Sequence, residues 1–538
     1  MLRLIAAPAL APLADRLADT LAGPRDDPFT PDWVAVPTAG MRGWLRLHLA
    51  RRLGAGEGPG ATDGVTAHVA MPFPGALLHA VVDAEQLDLA RHRPPGAVEA
   101  EAFDPWRLEH LVWSVLEVVH GAGGDARLGT LTRLPDGATR FGQARRLADL
   151  FDRYAVHRPE MVLAWGAGHD VDPQGAPLDP AVAWQPHLWR LVRERIGHPS
   201  LPERLPALLD RVRRGDLAVP ALPERLSVFG LATLPGGAAF LDLVEALAAT
   251  REVGAYLLDP SPAASARVRA EVLGQLPLGG RRARLDDRSA AVVQHPLVAS
   301  WTLIRREATV LLADAEARGV PAVEVVDPPA GPTPPPPTLL GRLQADLRAD
   351  RAPAGDLAPD AADRSIQIHA CHGTSRQLEV VRDAVLHLLA ADPTLREDDI
   401  AIVTPDVARF SPLVDAAFGP PADRAGSGTH HGPPLLRWRV TDRSLRSSYP
   451  LLDAVAALID LVGGRFAASA VLDLCTLAPV RARYGFTDDD LATLAGWASA
   501  VHVRWGLDDA HRARWGLPEG FEANTWRAGL DQLLTGVA

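Results

Sequence analysis

The sequence predicts an α/β protein built on parallel sheets, on three observations. Short apolar runs alternate with amphipathic helical stretches, proline and glycine turns punctuate the changeover, and no stretch repeats at a solenoid period. The first unit sets the pattern. Leu2–Ala6 reads as a strand, a turn carries Pro8 and Pro12, and Leu13, Leu17 and Leu21 recur at helical spacing. A nucleotide-binding protein places its phosphate loop at such a strand–turn–helix. Here the turn, APALAP, has no glycine, no lysine and no hydroxyl for a metal.

The rhythm continues with a strand from Asp32 to Pro37, a Thr-Ala-Gly turn and a helix through Trp44, Leu45, Leu47 and Leu49. Val65–His79 is extended, broken by Pro72 and Pro74, and then helical. Residues 105–215 lack strand signals and suit a helical insertion. Arg225–Leu247 predicts strand, turn and helix; Val253–Leu258 a strand; His295–Arg318 a long helix; and Ala322–Val326 an edge strand. Asp327–Pro337 is a stiff proline-rich linker, with a boundary placed across 331–364. Beyond it, strands at Ser365–Ala370, Asp399–Thr404 and Leu436–Val440 alternate with helices at Ser375–Leu389, Arg409–Phe418 and Tyr449–Val462, before a helical stretch over Arg465–Trp505.

Composition narrows the chemistry. The chain of 538 residues is long enough for several domains. Two cysteines, Cys371 and Cys475, cannot make a disulfide framework, which favours a reducing cytoplasm. No apolar run is long enough to span a bilayer. All 55 basic residues are arginine. Phosphate loops, kinases, Schiff-base enzymes and lysine-dependent nucleases therefore lose their usual catalytic group. A net charge of −11 argues against coating duplex DNA but permits an arginine-lined tunnel or docking on a basic partner.

Three motifs have simple readings. Gly54–Ala61 is glycine-rich but follows a helix and lacks lysine, so it reads as a surface loop. His430-His431 has no further ligand at metal spacing and reads as a loop tip. Cys371-His372 ends a strand without a third partner, which favours a structural pair. The helix Gln143–Pro159 is richer. Leu147, Leu150, Phe151 and Tyr154 make an apolar stripe, with Asp149 and Asp152 on its flank. Arg145 and Asp149 have the spacing of a helical ion pair on a solvated face. Alternatively, the carboxylates accept hydrogen bonds from unstacked bases while Arg158 meets an acceptor.

The ordered set Ser365–Ala370, Ser375-Arg-Gln-Leu-Glu379, Asp399–Pro405 and Arg437–Leu445 resembles the second motor domain of superfamily-one helicases. The whole chain resembles the RecC family, the gamma subunits of bacterial exodeoxyribonuclease V (RecBCD). The likeness rests on DDPFTPDWVAVPTAGMRGWLRLHLA from Asp26, PFPGALL from Pro72, LADLFDRYAVHRP from Leu147 and WQPHLWRLV from Trp184. It continues through LPERLSVFGLATLP from Leu222, HPLVASW from His295 and the long stretch from Ser365 to Asp406. TDRSLRSSYPLLDA, RFAASAVLDL, VRWGLDDAHR and NTWRAGLDQLL follow in the family's order. The match covers about the first half of a RecC chain, so a fragment or truncated frame is expected.

The resemblance implies an inactive helicase-like fold: a first domain over 1–330 with its 105–215 helical insertion, and a second from 365 that begins a further insertion. It implies a non-motor scaffold that scans the 3′-ended strand for Chi during recombinational repair of double-strand breaks. RecB-like and RecD-like partners would bind ATP and Mg²⁺ and supply the motors, with RecB the nuclease. No cofactor or metal is then expected in this chain, whose other partners would be duplex ends and single-stranded DNA. Carried over by motif, the strand-contacting positions are Phe73, Asp149, Leu150, Asp152, Arg158 and Arg204; the family often has Trp where His79 stands. Two alternatives stay open, an active AddB-type helicase–nuclease subunit and a scaffold without DNA readout.

Overall fold

The computed structural model describes residues 1–24, 27, 29–53, 65–91, 103–132, 138–273, 289–326, 338–355, 360–419, 436–441, 449–518 and 520–536. The glycine-rich loop 54–61, the proline-rich 327–337 and the pair His430-His431 lie outside them.

Two compact units form, one from residues 1–132 and 144–368, the other from 133–143 and 369–538. The first is the predicted α/β domain. It holds β1 (Leu2–Ala7), β2 (Asp32–Ala35), β3 (Val69–Ala70), β4 (Arg225–Leu231), β5 (Glu252–Leu258) and β6 (Glu324–Val325). They make one parallel sheet in the order β3-β2-β4-β5-β1-β6.

Its central strands β1, β4 and β5 are buried on both faces, as a parallel sheet covered by helices requires. Leu2, Leu4 and Ala6 of β1 point to one side, and Ile5 and Ala7 to the other. Helices α1 (Leu10–Leu21) and α2 (Ala39–Leu53) pack on the second side through Leu13, Leu17, Leu45 and Leu49, none of them exposed. The first side is covered by α3 (Gly75–Arg91) and by two later helices. Between α3 and those helices the chain builds the insertion: α4 (Leu108–Gly121), the short α5 (Gly129–Thr132), α6 (Ala138–His157), α7 (Pro159–Gly166), α8 (Trp184–Ile196) and α9 (Leu201–Arg214). Its separate core centres on Phe151, Trp165 and Trp189. Helix α9 returns to the sheet's face, where Leu208, Leu209 and Val212 join α10 (Ala238–Ala248).

One bulge interrupts β4. Gly230 takes φ +71°, and a Cβ there would lie 3.1 Å from the Met41 Cε of α2. The bulge shifts the side-chain parity, so Leu231 faces the same core as Val228.

The first unit then runs through α11 (Pro262–Val272), α12 (Pro296–Trp301), α13 (Leu303–Ala317) and α14 (Leu339–Ala349). The single helix expected over 295–318 is thus two, parted at Thr302. The first unit runs on to residue 368. Helix α14 ends on Asp350, which is fully buried and accepts hydrogen bonds from the backbone N–H groups of Gln294 and His295 (3.0 and 2.9 Å). Ser261 donates to the Leu347 carbonyl at 2.6 Å, so α14 belongs to the first unit.

The chain from residue 365 onward differs from expectation. Helices α15 (Thr374–Ala391) and α16 (Val407–Phe418) form, but 365–370, 399–404 and 436–440 carry no strand pairing among the described residues. Ile368 is 94% and Val403 91% exposed. These segments have strand composition, but among the described residues no neighbour completes a ladder for them. The fold is α/β, with one six-stranded parallel sheet among the described residues. Six helices follow: α17 (Pro450–Gly463), α18 (Ala468–Thr476), α19 (Ala478–Tyr484), α20 (Asp488–Ala500), α21 (Asp509–Ala513) and α22 (Trp526–Thr535).

Candidate nucleic-acid interface

Every strand of a parallel sheet ends on one edge, where ligands of open α/β folds gather. The chain leaving β3 meets that edge at Pro72, whose carbonyl accepts from the Val36 N–H at 2.9 Å. Met71 then turns into the core while Phe73 stays 51% exposed. The guanidinium of Arg42, in the first turn of α2, lies 5.0 Å from the centre of the Phe73 ring. Phe73 is thus an aromatic platform steadied by a cation. Neither Arg42 nor its stacking was foreseen from the sequence, because the contact joins turns far apart in the chain.

Helix α6 reaches the same edge. Val156, near its C-terminus, packs against the turn after β4, where a Cβ on Gly236 would lie 3.8 Å from Val156 Cγ1. The buried stripe of α6 is Ala144, Leu147, Ala148 and Phe151. Tyr154 sits edge-on to Trp165, ring centres 5.6 Å apart, and donates to Gln185 Oε1 at 3.0 Å. Leu150 lies outside that core cluster and is half-buried, because Ala148 takes the place beside Phe151 that the sequence reading gave to Leu150.

The predicted Arg145–Asp149 pair does not form among the described contacts. Asp149 instead meets Arg153, one turn further on, at 3.2 Å with both side chains well exposed. Asp152 lies deeper. Burial first, then the charges of Asp149 and Glu109, raise its pKa above the usual aspartate value; His79 and His157 pull the other way. His79 of α3 and Glu109 of α4 are thus close enough for their charges to act on Asp152. His79 drew notice in the sequence as a family departure, whereas Glu109 gave no signal.

Arg158 caps the start of α7. Its backbone N–H donates to the Tyr154 carbonyl at 2.8 Å, and its exposed side chain bonds the His157 carbonyl at 2.8 Å. The guanidinium is held at the end of α6, one turn beyond Tyr154, with donors to spare.

Arg204, also carried over as a strand-contacting position, is buried among acids. It is 7% exposed, bonds Asp104 at 2.5 Å and pairs with Glu85, tying α9 to α3 and to the start of the insertion. Asp104 also accepts from the Trp106 N–H at 3.1 Å. These buried charges join the sheet layer to the insertion and leave Arg204 no surface to offer a strand.

The turn after β1 is only Pro8 and Ala9 before α1 begins, and Ala9 provides no side-chain cap. Two residues, one without an N–H, cannot wrap a phosphate group. The nearest strand-end carboxylate, Asp259 after β5, is buried against Arg305 at 3.1 Å. Among the described residues no three His, Cys, Asp or Glu gather as a metal site, and no helix is long and apolar enough to cross a membrane. Cys371 is partly buried, and its thiol reaches only the His369 carbonyl, at 3.8 Å.

The family profile for the RecC N-terminal domain matches residues 2–350, and that for the RecBCD enzyme subunit RecC fourth domain matches 448–538. The chain belongs to the RecC family. It is 37% identical over 98% of its length to the RecBCD enzyme subunit RecC of Mycobacterium tuberculosis, and 36% to that of Mycolicibacterium smegmatis, also over 98%. The Escherichia coli subunit is 29% identical over 95% of this chain. Each alignment takes in 45 to 46% of the relative, so the chain spans just under half the length of these RecC proteins.

Proposed function

We propose that this chain acts as the non-motor, strand-guiding subunit of a RecBCD-type helicase–nuclease in recombinational repair, reading the 3′-ended strand for a recognition sequence. The carrying observation is the grouping at the sheet's C-terminal edge: exposed Phe73 on Arg42, and on α6 two carboxylates one turn apart beside Arg158. An aromatic face stacks a base without regard to its identity. Carboxylates at fixed depth accept from exocyclic amino groups, and a guanidinium donates to base acceptors or phosphate. Leu150 supplies an apolar wall between Asp149 and Asp152. In this reading Arg204 positions the insertion and does not touch the strand.

The two-residue turn after β1 supports a chain without its own motor, with RecB-like and RecD-like partners binding ATP and Mg²⁺. The purified chain is expected to show no ATP turnover, and measurable turnover would favour the active AddB-type reading. In the assembled complex, Asp152→Ala should blunt sequence-dependent attenuation more than unwinding rate. Equal losses would count against base readout and favour a docking scaffold.

A further inference from the structure

The stretches RFAASAVLDL and VRWGLDDAHR take no part in the site described above, yet the second unit folds them together. Arg512 is the pivot. It is buried, has no carboxylate partner among the described residues, and donates to the carbonyls of Trp505 (2.8 Å), Phe521 (3.0 Å) and Ala523 (2.7 Å). Gly506 is required beside it, since its φ is +85° and a Cβ would fall 2.8 Å from the guanidinium Nε. Arg512 therefore ties the Trp505 turn to residues 521–523.

From this pivot a ladder of alternating cations and indoles runs outward. The guanidinium carbon of Arg512 lies 4.6 Å from the centre of Trp505, and that of Arg465 lies 5.9 Å from Trp505 and 4.8 Å from Trp515. Trp515, the outer rung, is 39% exposed. Arg465, Arg504 and Arg514 are also exposed and, like Arg512, have no carboxylate partner among the described residues. In a chain of net charge −11 whose arginines otherwise pair widely with acids, this is a local concentration of unneutralised cations on stacked aromatics.

We infer that the Arg465–Trp505–Trp515 ladder, with Arg514, is a second contact site for single-stranded nucleic acid, separate from α6 and indifferent to sequence. A base stacks on Trp515 as the next rung, and phosphates meet Arg514 and Arg465. Cations without acid partners fit the polyanion, and an indole face fits bases better than an acidic peptide.

The test uses the full chain and fluorescein-labelled dT20, followed by anisotropy across a salt series. Trp515→Ala should weaken binding about tenfold and Trp515→Phe much less, as removal of one stacked base predicts. Arg514→Ala, at an exposed position that leaves the fold alone, should lower the slope of log affinity against log salt by about 0.7. Both effects should persist in an Asp149→Ala/Asp152→Ala background, which separates this site from the α6 reading. No binding of dT20, or unchanged affinity and salt slope in Trp515→Ala and Arg514→Ala chains with native circular dichroism, would overturn the inference. So would displacement of dT20 by poly-glutamate of equal charge together with loss of poly-glutamate binding in Trp515→Ala, which would mark a protein-docking surface.

Discussion

The two units treat strand-forming sequence in opposite ways. In the first, LRLIAA and RLSVFGL find parallel neighbours and are buried on both faces. In the second, DIAIVT is richer still in β-branched residues, yet pairs with nothing described, and Ile402 and Val403 face outward. Helix α17 repeats the contrast, showing Leu451, Val455, Leu458 and Val462 at helical spacing and more than two-fifths exposed each. A hydrophobic period marks what a segment can bury, and only neighbours decide whether it does.

Hydrogen exchange offers the largest contrast. Amides of β1, β4 and β5 should exchange only through global unfolding, on the order of 5–15 kcal/mol for a domain, while those of 399–404 should exchange almost freely. Comparable protection in both would break the comparison. Next in size, Arg204→Ala leaves Glu85 and Asp104 buried without their cation and should cost the first unit about 3–5 kcal/mol in denaturant titration. A loss under 1 kcal/mol would show that the insertion is tied down elsewhere.

A matched pair of truncations sharpens the point. Leu17→Ala, in the sheet-side core, should lose about 2–5 kcal/mol, whereas Leu458→Ala on α17 should stay within about 0.5 kcal/mol. A large loss at Leu458 would mean that its face is covered in solution.

The smallest effect concerns Asp152. Its raised pKa means the folded chain holds that proton more tightly than the unfolded one, so ionisation in the fold costs stability. The cost is complete above the raised value and vanishes below the ordinary aspartate value. Asp152→Asn should therefore raise the melting temperature at pH 8, with the gain shrinking as pH falls. A gain independent of pH would assign the effect to packing.

Much of the first unit was legible because its signals are local. Leu13, Leu17 and Leu21 mark a helix face, and proline and glycine mark the turns. Asp149, Asp152 and Arg158 could be placed on one helix end for the same reason. What escaped depends on distant partners. Arg204 looked like any helical arginine until Glu85 and Asp104, about a hundred residues away, enclosed it. The charges of His79 and Glu109 act on Asp152 only because three helices pack together, and the Arg465–Trp515 ladder needs a loop closed by Arg512. The missing ladder at 399–404 is the converse case, where the local signal was sound and the neighbours were absent from the described residues.

The proposed function requires α6 to lie along the path of a DNA strand. Photo-crosslinking of the chain to single-stranded DNA carrying 5-iodouracil, with adducts mapped by mass spectrometry, tests it most directly. The account predicts adducts within 147–158 and at Phe73 that fall when Asp152→Ala and Arg158→Ala are combined. Adducts confined to other parts of the chain, with α6 unlabelled, would contradict it.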